Sequence, residues 1–150
     1  MKILARFGVV LLAATLALPS LAADKNYTRG SIWTVTMIKT EPGKQDDYID
    51  SLKAEYVSVY EEAIKQKVIT SFKILTGDSS NPGDWDVLIL TEAPNFAAID
   101  TMEAKFDAIA AKIYGSEAKA EDNDKKSMSD RAPIRKVYGG KLMQEIHYVK

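Results

Sequence analysis

The chain of 150 residues contains no cysteine. That excludes a disulfide, a thiolate nucleophile and a cysteine metal site. Histidine occurs once, as His147, so a transition-metal site would have to be built mainly from carboxylates, and no tight cluster of them stands out. A basic stripe is missing as well. Twenty Lys and Arg against 21 Asp and Glu give a formal net charge of −1, with both signs mixed along the chain. Polyanion binders concentrate positive charge on one face, so nucleic acid is not an expected partner. Phosphate loops are also absent: Gly139-Gly140 precedes a strand-like segment and not a helix.

One long apolar run is present, Phe7–Leu18. It follows Lys2 and Arg6 and is ended by Pro19 before Ser20, Ala22 and Ala23. A dozen apolar residues fall short of the roughly 20 that span a bilayer. A positive start, an apolar middle and small residues at the end are the marks of a secretory signal peptide. The expected organisation is a signal peptide at 1–23, cleaved near Ala22 or Ala23, and one domain at 24–150. Loss of Lys2 and Arg6 would take the net charge from −1 to about −3. Small secreted eukaryotic domains lean on disulfides. The expected location is therefore periplasmic or secreted from a bacterium, with no membrane attachment after cleavage.

Periodicity organises the rest. Ile32–Lys39 alternates, with Trp33, Val35 and Met37 on one face and Ile32 and Ile38 on the other. Trp85–Thr91 likewise divides into Trp85, Val87 and Ile89 against Leu88 and Leu90. Both strands are apolar on two faces, as strands covered on both sides are. Glu41-Pro42-Gly43 marks a turn. From about Lys44 to Gln66, apolar residues recur at Ile49, Leu52, Tyr56, Val59 and Ala63, which is one helical stripe. Ile69–Thr76 alternates Phe72 and Ile74 inward with Ser71 and Lys73 outward, which suits an edge strand. The polar loop Gly77–Asp84 carries acids whose spacing does not fit a calcium-binding loop. Asn95 caps a second helix whose stripe runs Phe96, Ile99, Met102, Phe106, Ile109 and Ile113, with Gly115 as the stop. Ser116–Ala132 has few apolar anchors and is expected to be a mobile loop or a short exposed helix, the least ordered stretch of the domain. A last strand ends the chain, with Gly139-Gly140 as a bulge or bend in it.

Strand, helix, strand, strand, helix, strand is the ferredoxin-like order. The expected fold is α+β: a four-stranded antiparallel sheet with two helices on one face. With the second sheet face also apolar, and with the phrases Ile38-Lys39-Thr40-Glu41-Pro42-Gly43-Lys44 and Ala93-Pro94-Asn95-Phe96 before its helices, the chain resembles the dimeric α+β barrel superfamily. Antibiotic-biosynthesis monooxygenases and stress-responsive barrels belong to that superfamily, as do haem-degrading oxygenases and muconolactone isomerases. The resemblance implies a homodimer in which two sheets close a barrel around a cavity for a small molecule. It implies no cofactor, because haem-degrading relatives use histidine, asparagine and tryptophan at positions that this sequence does not match.

Within such a barrel the acid–base candidates are His147 and Glu145, two residues apart on one strand face. Arg131 and Arg135 are candidates to hold a carboxylate or carbonyl group. Trp33, Trp85, Tyr56 and Tyr60 are candidates for the apolar wall. Two readings stay open. One is a binding protein for a small apolar or aromatic molecule. The other is a cofactor-independent oxygenase or isomerase acting on an aromatic or lactone-like substrate. The fold does not choose between them.

Overall fold

A computed structural model describes residues 26–149. The signal peptide expected at 1–23 lies outside the described residues. In chain order the elements are β1 (Tyr27–Thr40), α1 (Gln45–Lys65), β2 (Ser71–Thr76), β3 (Val87–Ala93), α2 (Phe96–Asp100), α3 (Met102–Tyr114), α4 (Glu117–Arg131) and β4 (Arg135–Tyr148), with a 3-10 turn at Ala132–Ile134 before the last. All strand pairs are antiparallel and the sheet order is β2-β3-β1-β4. This is the ferredoxin-like fold, with the two most apolar strands in the centre as expected.

Alternation decides which side each strand residue faces. Ile38 pairs with Val87, and Phe72, Ile74 and Ile89 align with them on the same side. There they meet Tyr48 and Leu52 of α1 in one core cluster. A second cluster joins Ala63, Val68, Ile69 and Ile109, with Tyr60, Phe72 and Phe106 packed against it. Helix termini follow the chain's own signals. Asp46 and Asp47 open α1 and Lys65 closes it. The Asn95 side chain accepts from the Ala98 amide at 2.9 Å. Gly115, at φ 91°, ends α3 in the left-handed conformation that a side chain disfavours.

Gly139 and Gly140 act as expected. The register of β1 against β4 shifts between Met37 and Ile38, opposite Gly139, whose φ is 135°. A second shift, between Arg29 and Ile32, falls where β1 extends past β3. Beyond that point Tyr27–Arg29 pair with β4 alone, as a two-stranded ribbon.

Three expectations are corrected. Of the two readings of Ser116–Ala132, a mobile loop or a short exposed helix, the loop is overturned: the segment is α4, 15 residues long and mostly exposed, capped by the Ser116 side chain on the Lys119 amide at 3.2 Å. Its second half is anchored by Ser127 and Arg131, each 2% exposed. The second helix of the expected pair is also two pieces, α2 and α3, divided at Thr101. Among the described residues the helical layer therefore holds four helices and not two. Finally, Trp85 is not in a strand. It is 40% exposed, and β3 begins at Val87. The chain is turned there by Asp86, whose carboxylate accepts from the Thr40 amide at 2.9 Å and the Thr40 hydroxyl at 2.7 Å.

Candidate functional site

The sequence candidates do not converge on one cavity. Trp33 lies on the sheet face turned away from the core clusters, in register with Glu92 and Met143. Val35, Met37, Leu75, Leu88 and Leu90 share that face by alternation. None is fully buried, and Leu75 is 50% exposed. The Lys73 ammonium stands 5.2 Å from the centre of the Trp33 ring, a cation–π contact that crosses β3 from the edge strand. The middle of this face is apolar and the charges, Lys73 and Glu92 among them, lie around it.

Glu145 and His147 fall on the same side but at the far end, where only β1 and β4 remain. The His147 Nε2 is 3.6 Å from a Glu145 oxygen, and the two side chains are 56% and 43% exposed. Glu145 accepts from the Ser31 hydroxyl at 3.0 Å. The imidazole lies against Gly30, where a Cβ would come within 2.4 Å of its Nε2. The sequence brought the pair together correctly. The ribbon leaves it in solvent, without the enclosure that gives a general base its leverage.

Tyr56, Tyr60, Arg131 and Arg135 sit on the other side of the sheet, in the helical layer. Tyr56 and Tyr60 stack at 5.3 Å between ring centres, and Tyr60 meets Phe72 at 4.2 Å and Phe106 at 4.9 Å. Burial pushes the Tyr60 hydroxyl up to about 12, with the neighbouring Tyr56 acting in the same sense and a hydrogen bond from Thr91 opposing it. The Arg131 guanidinium carbon lies 5.1 Å from the Tyr56 ring centre, and that of Arg135 lies 5.6 Å from the Tyr48 ring centre. Burial also raises Tyr48, against the pull of Arg135. The two arginines thus pack the last turn of α4 and the start of β4 onto α1.

Sequence reasoning missed a cleft of about 650 Å³ between α1, α3 and α4. Tyr56 and Tyr60 form part of its wall, together with Phe106 and Tyr114. Its other side carries Asp107, Glu117 and Asp124. The signal was present only in combination: each residue had an ordinary surface or core reading, and α4 was one of two alternatives for its segment, with no inward face assigned.

Acids of the loop between β2 and β3 serve the loop itself. Asp84 accepts from the Ser80 and Trp85 amides, which holds its carboxyl below the usual range. Among the described residues no group of three or more His, Asp or Glu is arranged to hold a metal ion.

No protein-family model and no curated protein matches the chain. Among solved structures it is similar to a dimeric protein of unknown function and ferredoxin-like fold from Bacteroides fragilis, at 11% sequence identity and a TM-score of 0.37, over 79% of this chain and 95% of the other. A likeness of that size bears on neither function nor assembly.

Proposed function

We propose that the protein is a non-enzymatic binding protein that acts as a homodimer, sheet against sheet, with a small apolar or aromatic molecule held between the two faces. The observation that carries this reading is the apolar centre of the outer sheet face, Trp33, Val35, Met37, Leu88 and Leu90, on strands whose opposite side already serves the core. A lone soluble chain rarely leaves such a patch to water. Completing the burial of half a dozen partly exposed side chains contributes less than roughly 1 kcal/mol each, under half of the value for full burial. Association costs about 4–15 kcal/mol, so the face alone is marginal. Of the exposed apolar residues of β4, Met143 lies on this face, in register with Trp33, and at 54% exposed it extends the patch. Export belongs to the same proposal and rests on Lys2, Arg6, the run Phe7–Leu18 and the small residues after Pro19.

Light scattering of the purified protein at micromolar concentration tests the assembly. The expected result is a dimer that Leu90→Lys converts to a folded monomer. A wild-type monomer would remove the basis for a cavity between sheets. Native mass spectrometry of the dimer then reads any retained small molecule directly.

A further inference from the structure

We propose that the cleft between α1, α3 and α4 is a second binding site, distinct from the outer sheet face, and that it takes a small organic cation of the quaternary or aromatic ammonium type. Two independent features carry this. The first is the wall: the rings of Tyr60 and Phe106, 4.9 Å apart between centres, and Tyr114 farther along α3. Packed rings of this kind offer the organic part of a ligand an apolar aromatic surface.

The second is the charge of the facing wall. Glu117, Glu121, Asp124, Ser127 and Arg131 recur at spacings of three and four, so they form one stripe of α4. Ser127 and Arg131, at one end, are buried, while Glu117, Glu121 and Asp124 are exposed where they line the cleft. With Asp107 of α3 they give it four carboxylates. Asp107 of α3 and Asp124 of α4 line the same cleft. Glu121 is paired with Lys125 at 2.6 Å, but no ion pair engages Asp107, Glu117 or Asp124 among the described residues. Among the described residues no Lys, Arg or His lines the cleft. Arg131 stands over Tyr56, which lines the cleft, so the ammonium group belongs at the Asp107–Asp124 end, away from that charge, and the apolar part of the ligand against Tyr60 and Phe106. At about 650 Å³ the cleft falls within the usual size of small-molecule sites, about 300–1,000 Å³.

Calorimetric titration with benzyltrimethylammonium, benzyl alcohol and benzoate tests the inference on the purified protein. The cation is expected to bind, the alcohol more weakly and benzoate not at all. Asp107→Asn with Asp124→Asn should weaken cation binding by about tenfold, the scale of one desolvated cation–π or carboxylate contact. Neither residue is buried, so the fold survives, and an unchanged thermal melt confirms it. Leu90→Lys, on the opposite side of the sheet, should leave the affinity unchanged. Benzyl alcohol binding as tightly as the cation, an unchanged affinity in the double variant, or loss of binding in Leu90→Lys would each overturn the proposal.

Discussion

The Arg131 guanidinium lies 5.1 Å from the Tyr56 ring centre, in a residue only 2% exposed. Both residues have the chemistry of a ligand site, and the fold uses them to fasten the end of α4 to α1. A desolvated cation over an aromatic ring contributes about 2 kcal/mol, and the aliphatic stem adds packing.

Arg131→Ala is therefore expected to destabilise the protein by about 3 kcal/mol, near the lower end for removing a buried charged partner. Arg131→Lys should recover only part of this, because an ammonium lacks the planar stack of a guanidinium. Urea unfolding of the two variants gives both numbers. A loss under about 0.5 kcal/mol in Arg131→Ala, the level of an ordinary surface change, would show that the contact does not hold α4 in place.

Asp86 offers a second anchor of the same kind. Its two oxygens accept from the amide and the hydroxyl of Thr40, and Lys39 approaches to 3.7 Å. Asp86 and Thr40 are both buried. Asp86→Ala strands two buried donors and should cost about 1–3 kcal/mol. In a double-mutant cycle with Thr40→Val the combined loss should be smaller than the sum, since the valine removes one of the stranded donors. Additive losses would mean that the hydroxyl contributes nothing.

These two anchors also explain what the sequence concealed. Strand faces were legible because alternation has a strict period of 2: Ile38 and Val87 point inward, and Met37 and Leu88 outward, as their neighbours require. Caps at Asn95 and Gly115 and the bulge at Gly139 were legible from local chemistry. By contrast, α4 is held by Ser127 and Arg131, and hydrophobic periodicity is blind to a helix whose buried residues are polar. Trp85 read as a strand residue because it continues an apolar alternation, but Asp86 reaches across to Thr40 and delays the strand to Val87. The start of β1 was hidden because Tyr27–Arg29 are stabilised by pairing with β4, 115 or more residues away, and not by an apolar pattern of their own. The cleft was illegible for the same reason as α4, since half of its lining comes from that helix.

Hydrogen exchange should separate the two halves of α4. The amides around Ser127–Arg131 are expected to exchange as slowly as those around Ile109, and the amides near Glu117 faster, because that end is exposed and depends on its cap. Ser116→Ala should cost about 1 kcal/mol or less and act on that outer half first. Uniformly fast exchange across 117–131 would mean that Arg131 does not anchor the helix.

The last prediction follows from the buried tyrosines. In the folded protein burial pushes Tyr60 up to about 12, and it also raises Tyr48, while both would titrate near the usual value of 10 once unfolded. A phenol with a raised folded value keeps its proton where the unfolded chain has lost it. Its contribution to stability is then complete below pH 10 and disappears as the pH climbs from about 10 to about 12. Two units correspond to roughly 2–3 kcal/mol for Tyr60. Urea unfolding at pH 9, 10, 11 and 12 and constant ionic strength should show that loss. Tyr60→Phe keeps the ring against Tyr56, Phe72 and Phe106 but has no proton to lose, so its stability should fall less steeply, with the remaining slope due in part to Tyr48. Equal slopes in the wild type and Tyr60→Phe would show that the Tyr60 hydroxyl reaches water in the folded state.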